Sequence, residues 1–196
     1  MLDTHDGIGI IDIGEDAADR NARPGLVPAV DLDQLVEIIH TNSRGQSREA
    51  TGAAASNLDL YQINCTFFDA VGRDERSYLI ARAIQFFLPG VPQVYYVGLL
   101  ADENDIELLR TSGVGRDINR HWYDPAEVAL ALNKTIVRNL IDLIRNRNSH
   151  PAFGGRFTLE ADDDEQRLSM RWVLGDHTAH LFVDFATLSH EIQLSA

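Results

Sequence analysis

The sequence predicts an α/β fold ending in a small antiparallel β domain, and three stretches carry that prediction. From Glu75 to Leu88 the apolar residues Leu79, Ile80, Ala83, Ile84 and Phe87 recur at helical spacing. Pro89-Gly90-Val91-Pro92 stops that helix, and the β-branched and aromatic run Gln93 to Gly98 follows at strand length, which makes half of a parallel β/α unit. Near the other end, Leu2 to Asp6 has the pattern of a short barrel strand closing on a paired His5 and Asp6. From Phe153 onward the short runs Arg167 to Val173 and Ala179 to Asp184 flank the turn Leu174-Gly175-Asp176, the signature of antiparallel strands.

The remaining elements follow in order. The run Gly7 to Gly14 is too glycine-rich for a strand interior and is expected to be a loop. It lacks the third glycine of a dinucleotide fingerprint, since position 12 is Asp and no helix pattern follows at once. Asp31 is expected to cap a short helix with Gln34 in the capping-box position, and Leu32, Leu35, Val36 and Ile39 share one face. Residues 41 to 55, rich in Ser, Gly, Ala and Thr, are expected to form a mobile loop that delivers the polar and aromatic run 56 to 64, a candidate binding element. Asp105 to Arg110 predicts a helical turn and Gly113 to Asp124 a polar loop. A long helix is expected from Glu127 to Arg147, with Leu132, Ile136, Val137, Leu140, Ile141 and Ile144 inward, ended by His150-Pro151.

Bulk properties narrow the function. The formal charge of -13, from 30 acidic against 17 basic residues, repels nucleic acid and anionic membrane surfaces and leaves neutral substrates favoured. A composition that is 44% hydrophobic can build a core in a chain of 196 residues. Cys65, the lone cysteine, cannot form an internal disulfide and lies in an apolar run, which fits a reducing, cytoplasmic compartment. Neither a signal peptide nor a membrane span is visible in the pattern. His177 and His180 have a spacing that suggests metal ligation, but three-residue spacing in a strand sends them to opposite faces. No metal or cofactor is expected, and Asp162-Asp163-Asp164 reads as a charged turn.

Four motifs occur in sequence order: Thr4-His5-Asp6-Gly7-Ile8-Gly9, the run Ala53 to Gln62, the run Phe86 to Gly98, and Gly115-Arg116-Asp117-Ile118-Asn119-Arg120-His121. Together they resemble the sucrose phosphorylase family of the α-amylase superfamily, over nearly the whole chain. The resemblance implies the C-terminal part of a (β/α)8 barrel followed by the small antiparallel β domain. Leu2 to Asp6 would be the seventh strand, Gly14 to about Gly72 an inserted helical and loop domain, and Gln93 to Val97 the eighth strand. Residues 1–150 would then belong to the catalytic barrel and 151–196 to the β domain. The first six strands would lie upstream of Met1. A barrel closes only with all its strands, and a typical one needs about 250 residues, so the chain alone is expected to fold poorly and to be inactive.

By the same resemblance the activity is transfer of a glucosyl group from sucrose to inorganic phosphate with retention, giving α-glucose 1-phosphate and fructose. Retention requires two carboxylates about 5 Å apart, and the resemblance puts both, nucleophile and general acid/base, upstream. Asp6 resembles the superfamily's third carboxylate, the transition-state stabiliser, and His5 its companion on the same sugar hydroxyls. Arg116 resembles the arginine that fixes the non-reducing end of the glucosyl unit through a carboxylate in the upstream part; the plainer reading is a surface arginine paired with Asp117. Asp59 and Gln62, with Leu58 beside them, resemble contacts to the fructosyl leaving group, and Tyr61 a residue that swings in for phosphate. Without the family context, Asp59 reads as a solvated turn carboxylate and Tyr61 as core packing.

Family members often pair as homodimers, which the resemblance extends to the full-length enzyme. A phosphorylase of sucrose 6'-phosphate, glucosylglycerate or glucosylglycerol is the alternative within the same chemistry. A non-catalytic carbohydrate-binding or assembly subunit is the alternative of another class.

Overall fold

The computed structural model describes residues 2–10, 25–52, 62–161 and 166–196. Two compact units emerge, one formed by Met1–Arg73 with Val94–Ala129 and the other by Asp74–Gln93 with Leu130–Ala196.

In the first unit the chain makes a short antiparallel ladder between β1 (Ile8–Gly9) and β2 (Gln62–Ile63), with Ile8 opposite Ile63 and Gly9 opposite Gln62. Ile8, Ile10, Ile63 and Cys65 are buried here against Ile39 and Ala70, with Leu32, Val36 and Phe67 packed at the margin. Ile39 and Val36 reach that core from helix α1 (Ala29–Asn42), the amphipathic helix expected around Asp31. It starts two residues before Asp31, which lies in its first turn and faces the positive end of the helix dipole rather than capping it.

The loop expected at 41 to 55 is a correction: α1 continues to Asn42 and a second helix, α2 (Gln46–Thr51), follows at once. The reason lies in how the hydroxyls are spent. Ser43 Oγ accepts from the Ser47 backbone N–H at 3.2 Å and donates to the His40 carbonyl at 3.1 Å, while Thr51 Oγ1 donates to the Ser47 carbonyl. Serines that signal a loop by composition thereby join two helices. Arg44 and Gly45, both in the left-handed region, make the corner. His40 is buried in the join, its Nδ1 2.7 Å from Ser47 Oγ, and burial together with the Arg48 charge holds its pKa below the ordinary histidine value.

Helix α3 (Phe67–Ala70) carries Asp69, which is fully buried and accepts from Arg73 Nε at 2.8 Å, from the Asn104 backbone N–H at 2.6 Å and from Thr66 Oγ1 at 3.2 Å. Asn104 returns a bond from its side chain, accepting from the Thr66 N–H at 2.8 Å. Cys65 lies beside this knot; burial pushes its thiol up to about 12, against the pull of the Asn104 amide at 3.6 Å, so it is an inert thiol.

A strand was expected at Gln93 to Gly98, and none forms: the chain turns into helix α5 (Tyr96–Leu99). Leu2 to Asp6 likewise makes only a bridge between Thr4 and Gly7. A parallel strand is held by ladder partners on both sides, and the described residues offer these segments none. Helix α6 (Ile106–Ser112) begins where Asp105 Oδ1 accepts from the Leu108 N–H at 2.8 Å and ends on Gly113, as the spacing predicts. A 3-10 turn (Gly115–Asn119) and helix α7 (Pro125–Ala131) follow.

The second unit contains helix α4 (Glu75–Phe87), as predicted, and helix α8 (Thr135–Ser149) packed against it. The single long helix expected from Glu127 is thus two helices, because the Asn133 and Lys134 N–H groups bond to carbonyls three residues back and end α7. Leu132, expected inward, is 43% exposed at the break, whereas Ile136, Val137 and Leu140 are buried. The antiparallel sheet has four strands in sequence order, β3 (Arg156–Ala161), β4 (Arg167–Leu174), β5 (His177–Asp184) and β6 (Ser189–Ser195). Met170, Trp172, Ala179, Leu181 and Val183 form its buried face. Trp172 Nε1 donates to the Phe87 carbonyl at 2.7 Å, and Arg147 lies over both Trp172 and Phe153. His180 is on the opposite face from the Trp172 row and meets Ser169 Oγ at 2.6 Å; His177 meets His150 edge-on. Asp162 to Asp164 lie outside the described residues. Among the described residues no helix is long and apolar enough to cross a membrane.

Candidate active site

Thr4, His5, Asp6 and Gly7 make a tight hairpin. The Thr4 N–H donates to the Gly7 carbonyl at 2.9 Å, the Gly7 N–H returns the bond at 3.1 Å, and Thr4 Oγ1 accepts from the Asp6 N–H at 3.1 Å. His5 and Asp6 are therefore the two residues at the tip, presented side by side. Gly7 has φ +106°, and a methyl added there would sit 2.1 Å from the Ile63 carbonyl oxygen. Both facts require glycine. Gly7→Ala is expected to cost about 3 kcal/mol from left-handed strain and the forced separation from β2. Urea unfolding followed by circular dichroism measures this. The same change at Gly154, where the nearest atom is 3.8 Å from the added carbon, is the control.

The 3-10 turn comes down on this hairpin from a remote part of the sequence. Arg116 Nη1 lies 3.0 Å from Asp6 Oδ1, and Arg120 Nη2 lies 3.2 Å from the same oxygen. Arg120 Nε also donates to the His5 carbonyl at 2.9 Å, and Asn119 Nδ2 to the Thr4 carbonyl at 2.7 Å. On the other side, His5 Nε2 stands 3.3 Å from Asp6 Oδ2. Two guanidinium groups on one carboxylate oxygen fix its plane through charge-assisted contacts, the stronger class of hydrogen bond. The close approach depends on Gly115, because a side chain there would begin 2.0 Å from the Ala50 carbonyl oxygen of α2.

Exposure divides the cluster. The Asp6 side chain is 22% exposed, while Arg116 is 56% and His5 67% exposed. The carboxylate is thus held from behind, with an arginine and an imidazole reachable at the rim. Such a group can take hydrogen bonds from vicinal hydroxyls and oppose positive charge developing nearby.

Arg116 is brought into one constellation with the His5-Asp6 pair. Arg116 pairs with Asp6, whereas the plainer expectation was a pairing with Asp117; Asp117 instead faces Arg120 at 3.7 Å. Gln62 sits on β2 opposite Gly9, three positions beyond Asp6 in the neighbouring strand. Leu58, Asp59 and Tyr61 lie outside the described residues. Asn119 and Arg120 belong to the same motif yet had no assigned role, although an arginine four places beyond Arg116 was the available signal. The structure makes them the fasteners of the hairpin.

Comparison with known family profiles finds no match. Individual proteins match strongly. The chain is 60% identical over 186 residues to a sucrose phosphorylase from Agrobacterium vitis, a match covering 95% of this chain and 37% of that protein. A sucrose phosphorylase from Bifidobacterium adolescentis is 56% identical over 172 residues, covering 88% and 34%. The crystal structure of sucrose 6F-phosphate phosphorylase from Thermoanaerobacter thermosaccharolyticum superposes with a TM-score of 0.82 at 36% identity, over 99% of this chain and 38% of that one. The chain therefore spans a little over a third of the length of the relatives it matches. Over nearly all of its own length this chain is therefore similar to about a third of each of these sucrose phosphorylases.

Proposed function

We propose that the chain is part of a retaining sucrose phosphorylase, in which it supplies the transition-state-stabilising carboxylate and part of the sugar-binding rim. The observation that carries this reading is Asp6, held by Arg116 and Arg120 beside His5 in a sequence 60% identical to a named sucrose phosphorylase. In the assembled enzyme, Leu2 to Asp6 and Gln93 to Val97 take the places of the seventh and eighth barrel strands. Residues 1–150 then complete the catalytic domain, with the insertion at about 14 to 72, and 151–196 form its β domain. The buried thiol of Cys65 suits a cytoplasmic setting.

The reaction proceeds by double displacement. An upstream carboxylate attacks the anomeric carbon of the glucosyl unit as an upstream acid protonates the departing fructosyl oxygen; phosphate then attacks that carbon from the face fructose has left, giving a proton back to the same upstream group and releasing the carboxylate. The ring passes through an oxocarbenium-like state at each step. Asp6 bonds to ring hydroxyls more tightly as that positive charge develops, so its interaction acts on the barrier rather than on ground-state binding. Arg116 keeps the carboxylate aimed, and His5 shares the hydroxyls. Asp59 and Gln62 contact the fructosyl group, Leu58 lines their loop, and Tyr61 moves in for phosphate.

The test is complementation. The chain, co-expressed with the upstream remainder of the Agrobacterium vitis relative, is expected to release α-glucose 1-phosphate from sucrose and phosphate. A strong preference for sucrose 6'-phosphate would transfer the assignment to the sister activity, which the TM-score of 0.82 to a sucrose 6F-phosphate phosphorylase makes the one alternative to assay beside it. A soluble complex that binds sucrose without turnover would leave a carbohydrate-binding subunit.

A further inference from the structure

The loop that fastens Asp6 is itself fastened at its exit, by a histidine with a carboxylate on each ring nitrogen. His121 Nδ1 lies 2.5 Å from Asp105 Oδ2, and His121 Nε2 lies 3.3 Å from Glu127 Oε1. A neutral imidazole has one N–H and one lone pair, so one of these contacts would set a lone pair against a carboxylate. Only the imidazolium donates to both. The two carboxylates are otherwise anchored: Asp105 Oδ1 accepts from the Leu108 N–H at the start of α6, and Glu127 Oε2 accepts from the Asp124 N–H at 2.7 Å before α7. Asp124 Oδ1 closes that end by accepting from the N–H groups of Ala126 and Glu127.

The position of this clamp in the chain matters. His121 directly follows Arg120, and the Asp105 N–H donates to the Ile118 carbonyl at 2.8 Å, so the clamp grips the 3-10 turn at its C-terminal end. Tyr96 Oη donates to the His121 carbonyl at 2.9 Å from α5, and the Tyr123 ring meets the imidazole edge-on, centroids 4.6 Å apart, while its hydroxyl donates to Asp102.

We infer that His121 is a positioning residue whose imidazolium latches the Gly115–Asn119 turn and so holds Arg116 and Arg120 on Asp6, making the setting of Asp6 dependent on pH. The inference rests on the reading of Asp6 above for its catalytic consequence, but not for the latch itself. The groups facing His121 are Asp105 at the start of α6, Glu127 from α7 with Asp124 at its cap, and Tyr123 and Tyr96 with their hydroxyls engaged; Arg120, next in the chain, pairs with Asp6 and Asp117. Burial works against the charged ring, yet the hydrogen bonds and charges of Asp105 and Glu127 outweigh it, and the His121 pKa stands above the ordinary value. A raised folded pKa means the latch stabilises fully below the unfolded value, about 6.5, and is lost as pH rises through the folded one.

The test is a titration of the chain labelled with 15N in its histidine rings and arginine side chains, followed by NMR. His121, assigned by the loss of its signals in His121→Gln, is expected to show both ring nitrogens protonated at neutral pH, with a midpoint above that of an ordinary histidine. The guanidinium signals of Arg116 and Arg120 are expected to move with that midpoint, and in His121→Gln this response disappears. Asp105→Asn, whose amide oxygen still caps α6, and Glu127→Gln each lower the midpoint, which keeps the proposal decidable if His121→Gln does not fold. A neutral His121 tautomer at neutral pH, or arginine signals indifferent to its titration, overturns the latch. A coupled titration together with failure of the complementation assay overturns the catalytic reading of Asp6 and leaves the latch standing.

Discussion

Asp6→Asn is expected to lower glucosyl transfer by the complemented enzyme on the order of 10²- to 10³-fold, the loss seen when one preorganised electrostatic contact to a developing charge is removed. The substitution keeps the size and the hairpin, since the backbone bonds of Thr4 and Gly7 do not involve the side chain. What changes is charge. An amide holds Arg116 and Arg120 less strongly and no longer opposes an oxocarbenium-like centre. Because the contact tightens only as charge develops, the loss should fall on kcat, with KM for sucrose changed far less. Steady-state release of α-glucose 1-phosphate across sucrose concentrations separates the two. A variant with unchanged kcat and a raised KM would make Asp6 a binding residue only.

Asp69→Ala is expected to destabilise the chain by about 3 kcal/mol, the scale for removing one partner of a buried ion pair. Asp69 is fully buried and answers three donors from Thr66, Arg73 and Asn104. Its removal leaves the Asn104 N–H and the Arg73 Nε facing a cavity. Arg73 keeps Glu103 as a second partner, which holds the figure at the lower end. Asp69→Asn retains an acceptor and should cost clearly less. Urea midpoints at constant slope read the difference; a loss under about 1 kcal/mol would mean that water replaces the carboxylate at little cost.

Neither Asp69 nor His40 was identifiable as structural from its neighbours in sequence. Asp69 is an acidic residue inside an aromatic segment, and its partner Asn104 lies 35 residues away. His40 falls at the polar end of a helix and is buried because α2 folds back beside it. The 41 to 55 region shows the general difficulty. Its hydroxyl residues compete with the backbone in any conformation, and only packing decides whether they open a loop or join two helices.

Local chemistry was enough for the elements whose determinants lie within one or two turns. Helix α4 follows from its periodicity and from Asp74, which accepts from the Ser77 N–H; helix α6 follows from Asp105 and Gly113. Of the four terminal strands, β4 and β5 follow from the two runs flanking Leu174-Gly175-Asp176, whereas β3 and β6 were not named from the sequence. The His5-Asp6 pair was singled out as the end of a barrel strand, whereas the structure puts it at the tip of the hairpin closed by Thr4 and Gly7. Its fastening was not legible, since Arg116 and Arg120 reach Asp6 across about 110 residues, and no periodicity or spacing carries a contact of that separation. The sequence by itself determined which residues could do the chemistry and how each short element begins and ends. The tertiary structure alone decided that two arginines converge on one carboxylate oxygen and that a histidine between two carboxylates follows their turn, because those contacts exist only after distant segments have lost their freedom together.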